Sequence, residues 1–400
     1  MPSSAKIAAE LRKLADEIES EDLKNTQHDF HLPLAKVHQA LDKLSSPFEL
    51  AYDQTFVQPL RLMCIRIGIE MGLFVELQKF EKPQKVRDLA INLKADPNLL
   101  RRLMRLLSST GDLLEVDVDT FQGTKYSNAI ATMPFVSGEI VSNVDMMLRG
   151  AYALPRHLKR CGYQDITLSE QAPFLVANGG VGYFEAVAQD PVQQKAFNDF
   201  QTVQAQVGLD NFGNKYPIKE RLLDGFNPLN GPLLVDVGGG LGLFLNMLAR
   251  RLPKPYQLVL QDLPRTIEQA QSSKLAANIT AMAHDFFKEQ PIANARAYYL
   301  RHVLHDWPDA ECISILKNIH HAMKPGYSRV LVEESVIQPR GTNSAIAALD
   351  MVMMCCFGAR ERSEQEWAEL LEQAGLRLAH VWGSGEQRVI EAEMALSGRL

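Results

Sequence analysis

Leu233-Leu234-Val235-Asp236-Val237-Gly238-Gly239-Gly240-Leu241-Gly242-Leu243 is the stretch whose reading decides the fold. Its first five residues are apolar around a single Asp236, a strand with no obvious wet face. Four glycines in five positions follow, and from Leu243 to Arg251 the apolar residues return at helical spacing. Buried strand, glycine turn and helix open a doubly wound α/β sheet, in which ligands bind beyond the carboxyl ends of the strands. Glycine suits that turn because a side chain would block the approach of a ligand to the backbone.

Downstream the same alternation continues. Strands are expected at 257–261, 279–283, 297–300 and 330–335, with a helix over 311–323, which makes a parallel sheet covered on both faces. Upstream the pattern differs. Asp96-Pro97 has the form of an N-cap followed by proline in the first helical turn. A helix at 85–93, another at 99–107 and a hairpin of 113–118 with 121–126 read as a winged helix. Residues 55–80 read as one helix with unusually dense apolar positions (Met63, Ile65, Ile67, Ile69, Met71), as expected of an interface. The boundaries are an N-terminal helical arm over 1–50, a winged-helix dimerisation domain over 51–135, a helical linker and substrate-pocket region over 136–228, and a Rossmann-like α/β domain over 229–400.

The glycine spacing selects the cofactor. A dinucleotide fingerprint, G-x-G-x-x-G, that begins at Gly238 needs a glycine at position 243, which is Leu243. The sequence is instead Asp-x-Gly-x-Gly-x-Gly, compact and opened by an acid, which suits S-adenosylmethionine, a ligand without a pyrophosphate. Asp262 follows the next strand, where a carboxylate can accept both ribose hydroxyls. Asp285-Phe286 follows the third, with an acid and an aromatic ring for the adenine edge and face.

Leu300-Arg301-His302-Val303-Leu304-His305-Asp306-Trp307-Pro308-Asp309 follows the fourth strand. His305, at the cofactor side of the sheet, is the candidate base: an imidazole of ordinary pKa ~6.5 can accept a proton near neutrality. Glu334, at the end of the fifth strand, and Glu361, within Gly358-Ala359-Arg360-Glu361-Arg362-Ser363, are candidates to orient it. His302 alternates away from His305 and reads as a capping or core residue. No His/Cys/Asp/Glu set has metal-finger spacing, so a metal-free reaction is expected.

Bulk properties bound the rest. The chain has 400 residues, 46 % hydrophobic and 22 % charged, with a net charge of −6. Arg101, Arg102 and Arg105 on the second winged-module helix lack a basic surround, which argues against nucleic acid. The five cysteines, Cys64, Cys161, Cys312, Cys355 and Cys356, point to packing in a reducing, cytoplasmic compartment. No leader is visible, and no apolar run reaches the ~20 residues of a membrane span.

Taken in order, the Asp-Val-Gly-Gly-Gly-x-Gly loop, Asp262-Leu263-Pro264, Leu304-His305-Asp306-Trp307-Pro308-Asp309 and the 358–367 segment resemble the plant and fungal small-molecule O-methyltransferases, including the fungal polyketide enzymes. The resemblance spans roughly residues 55–395. It implies a class I methyltransferase domain, a winged-helix dimerisation domain and a homodimer in which each N-terminal region helps close the partner's pocket. It implies a catalytic set of His305 as general base, Asp306 beside the acceptor, and Glu334 and Glu361 flanking the base. The cofactor set is Asp236, Gly238, Gly239, Gly240, Asp262, Leu263, Asp285, Phe286 and Arg301. The acceptor set is Phe197, Asn198, Gln201, Met353, Met354 and Phe357. Plant members commonly carry Lys at the position of Arg301 and often Met at that of Gln201, so this pocket is the more polar. The expected reaction is methylation of an aromatic or enolic hydroxyl. The alternative is a pericyclase or dehydratase that keeps S-adenosylmethionine without transferring its methyl.

Overall fold

The computed structural model describes residues 8–9, 12–13, 45–385 and 387–395, with side chains described outside 203–211. The arm expected over 1–50 therefore lies almost wholly outside the described residues. The chain forms two compact units. One takes the chain up to Leu148 together with Ala186–Gln201; the other takes Arg149–Glu185 and the chain from Thr202 onward.

In the first unit, helix α1 (Pro47–Tyr52) starts at a capping box between Ser46 and Glu49. Helix α2 (Gln58–Met71) and helix α3 (Leu73–Gln78) replace the single helix expected over 55–80. Gly72, at φ 75° between them, ends the first and turns the chain into the second. Strand β1 (Gln84–Lys85), helix α4 (Val86–Leu93), helix α5 (Pro97–Ser109), strand β2 (Leu113–Asp117) and strand β3 (Thr120–Gly123) make the winged module, with antiparallel order β1-β3-β2. Asp96 caps α5 as expected, accepting from the amides of Asn98 and Leu99. Leu100, Leu103, Met104 and Leu107 of α5 are buried at i, i+3, i+4 and i+7, the face that meets Phe74, Leu89 and Phe121 in the core. The expected second hairpin strand stops short: Thr124 caps helix α6 (Lys125–Thr132) with Ser127, so residues 125–126 are helical. Helix α7 (Pro134–Ser142) follows in this unit; of the next helices, α8 (Leu148–Arg160) and α9 (Pro173–Ala177) belong almost wholly to the second unit, while α10 (Tyr183–Gln189) and α11 (Pro191–Lys215) are divided between the two.

The second unit is built on a mixed sheet. Its strands are β4 (Leu234–Val237), β5 (Leu258–Asp262), β6 (Ile279–Ala283), β7 (Ala297–Arg301), β8 (Arg329–Ile337), β9 (Arg362–Ser363), β10 (Leu376–Trp382) and β11 (Gln387–Met394). The order is β10-β11-β8-β7-β4-β5-β6, with β9 on β8. All pairs are parallel except β8–β11 and β11–β10. Helices α12 (Leu243–Arg251), α13 (Pro264–Ser272), α14 (Asp309–Ala322), α15 (Ser344–Phe357) and α16 (Glu364–Gln373) complete it. Successive strand residues alternate between two apolar layers: Val235, Tyr298, Leu300, Val330 and Val332 belong to one, Leu234, Ala297, Tyr299 and Leu331 to the other. The strand order reverses between β4 and β7, so the turns that leave these two strands lie side by side at the switch point.

Candidate active site

The glycine turn after β4 is tied by its amides to the end of the neighbouring strand β5. Gly238 and Gly239 donate to the Gln261 carbonyl at 2.9 and 3.1 Å, Gly240 donates to Asp262 Oδ2 at 2.9 Å, and Gly242 donates to the Gly239 carbonyl at 3.1 Å. These amides are already committed, which leaves no fan of donors for a pyrophosphate. The glycines are sterically required. A Cβ on Gly239 would lie 2.5 Å from Asp236 Cγ, and one on Gly238, where φ is 73°, would lie 3.0 Å from a Val303 methyl and 3.8 Å from the Phe286 ring. That contact brings the glycine turn, the loop after β6 and the histidine turn together.

The carboxylates predicted at the strand ends are all present. Asp236 is 2 % exposed, and its Oδ2 has no hydrogen-bond partner among the described residues. Burial pushes its carboxyl up to about 7, against the pull of the Arg301 guanidinium. Asp262 also accepts from the Leu263 amide at 2.8 Å, and burial raises it too. Asp285 accepts from the Phe287 amide at 3.0 Å, while the Phe286 ring packs edge-on against Trp307.

The histidine turn after β7 is held by distant side chains. Beyond Arg301 the backbone leaves the strand: His302 sits at φ 49° and Leu304–Asp306 forms a 3-10 turn. Glu334 Oε1 accepts from the amides of Val303, Leu304 and His305 at 3.0, 3.0 and 3.4 Å. His305 Nδ1 is 2.7 Å from Glu361 Oε1, whereas Nε2 is 3.6 Å from Asp306 Oδ1, beyond hydrogen-bond length. The turn also overturns the reading of His302. Because the chain twists out of the strand, its ring lies 5.2 Å from that of His305 and its Nδ1 3.6 Å from Glu334 Oε2.

Electrostatics divide the two histidines. Burial pushes His302 down to about 4. Burial opposes protonation of His305 as well, but Glu334, Glu361 and Asp306 outweigh it and raise its pKa to about 10. The same cation, with the His302 ring 3.6 Å away and a hydrogen bond from the Val303 amide, overcomes burial to hold Glu334 at about 2, whereas burial wins at Glu361, which is raised, and at Asp306, which reaches about 7. His305 is therefore a stronger base than its ordinary pKa implied. The fold also brings His302, His305 and Glu334 within 4.8 Å of one another through their ligand-type atoms, a cluster that sequence spacing did not show.

The O-methyltransferase domain model matches residues 164–377, and the O-methyltransferase dimerisation domain model matches residues 57–137. The chain belongs to the O-methyltransferase family. It is 34 % identical over 338 residues to demethylsterigmatocystin 6-O-methyltransferase of Aspergillus parasiticus, covering 84 % of this chain and 85 % of that enzyme. Two solved chains, LepI in complex with SAM and one described as a pericyclic reaction enzyme, each match with TM-score 0.83 and 25 % identity, over 98 % of this chain and 100 % of theirs. The class I methyltransferase fold with its N-terminal dimerisation domain thus stands as the sequence implied. Among the described residues, no helix is long and apolar enough to cross a membrane.

The acceptor residues expected of this O-methyltransferase fall in two groups. Phe197, Asn198 and Gln201 lie on α11 within the first unit. Met353, Met354 and Phe357 lie on α15 in the second, where Met353 is buried. The sequence did not single out the partners of Phe357: Tyr183, edge-on at 5.1 Å, and Phe184, stacked at 5.3 Å. Nor did it single out Arg362, fully buried one residue after Glu361. The 358–363 motif held it in plain view, but its partners are spread from Leu304 to Asp309.

Proposed function

We propose that the chain is an S-adenosylmethionine-dependent O-methyltransferase acting on a phenolic or enolic hydroxyl of a polyketide-type metabolite, with His305 as general base. The commitment of His305 Nδ1 to Glu361 at 2.7 Å carries this reading, because it orients Nε2 as the proton acceptor. The glycine turn fits the cofactor: its amides are already satisfied, Gly239 and Gly242 leave no room for a Cβ, and Asp236 Oδ2 is a buried acceptor without a partner among the described residues, suited to a ligand that would be cationic. Asp236, Gly238, Gly239 and Gly240 form the turn that would hold it, with Asp262 and Leu263, Asp285 and Phe286, and Arg301 at the neighbouring strand ends. When bound, S-adenosylmethionine supplies an electrophilic methyl on a sulfonium and leaves as S-adenosylhomocysteine.

His305 Nε2 takes the hydroxyl proton as the acceptor oxygen gains its methyl. The imidazolium that results is held by Glu361 at Nδ1 and by Glu334 beneath the turn, and Asp306 flanks Nε2. A base near 10 matches a phenol of pKa ~10, so the proton transfer is close to thermoneutral. In the empty chain such a base is mostly protonated at pH 7, and a second cation in the site shifts it toward its neutral form. The base needs no metal in this scheme, because Glu361, Glu334 and Asp306 supply the charge that holds its protonated form. Met353, Met354 and Phe357 contact the acceptor, the dimerisation domain pairs two copies of the chain, and the protein works in the cytoplasm without nucleic acid.

Likeness to a pericyclic reaction enzyme favours one competing reading, in which the cofactor stays intact. Methyl-labelled S-adenosylmethionine, incubated with a panel of phenolic and enolic polyketides, separates the two. Label on an acceptor oxygen is expected. A rearranged product with the label still on intact cofactor would contradict the proposal.

A further inference from the structure

The turn that carries His305 is gripped from two sides by opposite charges. On one side Glu334 Oε1 collects the amides of Val303, Leu304 and His305. On the other, the Arg362 guanidinium collects the carbonyls of the same turn: Nη1 donates to the Leu304 carbonyl at 3.1 Å and Nη2 to the Trp307 carbonyl at 2.9 Å. These two carbonyls bracket His305 and Asp306. Arg362 is fully buried, and its Nε and Nη2 are fixed by Asp309 Oδ1 at 3.0 and 2.7 Å, while its plane rests 5.2 Å from the Trp367 ring. A planar fork can hold two carbonyls and a carboxylate at once; a lysine ammonium cannot reproduce that spread.

We propose that Arg362 is a positioning residue: it locks the Leu304–Trp307 turn against the start of β9, next to Glu361, and so fixes the distance between Glu361 and the His305 ring. The inference rests on His305 as the base. Covalent adjacency does the coupling. Glu361 binds the ring and Arg362 binds the backbone beneath it, so a shift of the turn is resisted by two residues adjacent in the chain. Without the fork, the turn keeps its amide contacts to Glu334 and the weak Cys312 thiol contacts to the same two carbonyls, but loses its charged anchor, and the Nδ1–Glu361 bond lengthens.

Titration of His305 tests this, because a charge effect and a positioning effect differ in sign. Arg362 is a cation near an imidazolium, so its removal by charge alone raises the His305 midpoint. Loss of positioning lowers it. The full-length chain, labelled with 13Cε1-histidine and saturated with S-adenosylhomocysteine, is titrated as wild type, Arg362→Met and Arg362→Lys, with the His305 signal assigned by His305→Gln. Both variants are expected to lower the midpoint by one unit or more while S-adenosylhomocysteine affinity changes less than threefold. A midpoint that rises in Arg362→Met and holds in Arg362→Lys, or one that holds in both, overturns the proposal. Should these variants fail to fold, Asp309→Glu, which keeps the charge but displaces the carboxylate that fixes Arg362, is expected to lower the midpoint by a smaller amount; no change there overturns it equally. The titration needs no acceptor, so its outcome is read separately from the presence or absence of methyl transfer.

Discussion

The glycine turn and the histidine turn leave neighbouring strands of one sheet, yet they are built by opposite means. The first is held mostly by backbone-to-backbone bonds among residues 236–262. The second is held by ionised side chains 29 to 58 residues away: Glu334, Glu361 and Arg362. A turn fixed by its own amides has a shape that hardly depends on pH. A turn fixed by charges has a proton affinity written into its supports. The division of labour follows: shape selects the cofactor and charge sets the base.

Substitutions in each turn should therefore damage different steps. His305→Ala removes the proton acceptor, and kcat is expected to fall ~10²–10⁴-fold, while isothermal titration with S-adenosylhomocysteine gives an unchanged Kd. A large loss of affinity instead would mean that the two turns are not separable. Gly239→Ala should show the reverse. Its methyl meets Asp236 and Leu260 at 2.5 to 2.6 Å, an overpacking cost of ~1–3 kcal/mol, read as a ~10–100-fold weaker Kd with kcat at saturating cofactor largely kept.

Asp236→Asn sharpens the comparison further. A carboxyl whose folded pKa lies near 7, above its ordinary value of 3.8, contributes stability below pH 3.8 that is lost as pH rises through 7. The amide escapes that loss. Scanning calorimetry of the empty chain at pH 8 should find the variant melting ~2–5 °C higher than wild type, although it binds the cofactor more weakly. A lower melting temperature would mean that Asp236 is ionised and well partnered. Smallest of all, Asp262→Asn keeps an acceptor for the Gly240 amide and loses only its charge, so Kd should weaken about tenfold or less.

The same division explains what the sequence could reveal. The glycine turn was legible because its cause is local: strand, missing third dinucleotide glycine, and Asp262 at a fixed remove. Asp96 before Pro97 was legible for the same reason. Gly72 was passed over because dense apolar residues on both sides of it read as one helix, whereas its left-handed backbone splits them. His302 was misplaced because strand alternation was carried one residue beyond the strand. The raised pKa of His305 and the grip of Arg362 were invisible, since each depends on which residues β8 and β9 set beneath the turn once the sheet has closed.

The acid–base poise of His305 decides whether it serves as the base, and the pH dependence of single-turnover methyl transfer measures that poise directly. In wild type the rate should climb from pH 7 and level off only at an apparent pKa above 8, and Glu361→Gln should move that midpoint down by at least one unit and lower the plateau. A wild-type midpoint near the ordinary 6.5, or wild-type and Glu361→Gln profiles that superimpose, would contradict it.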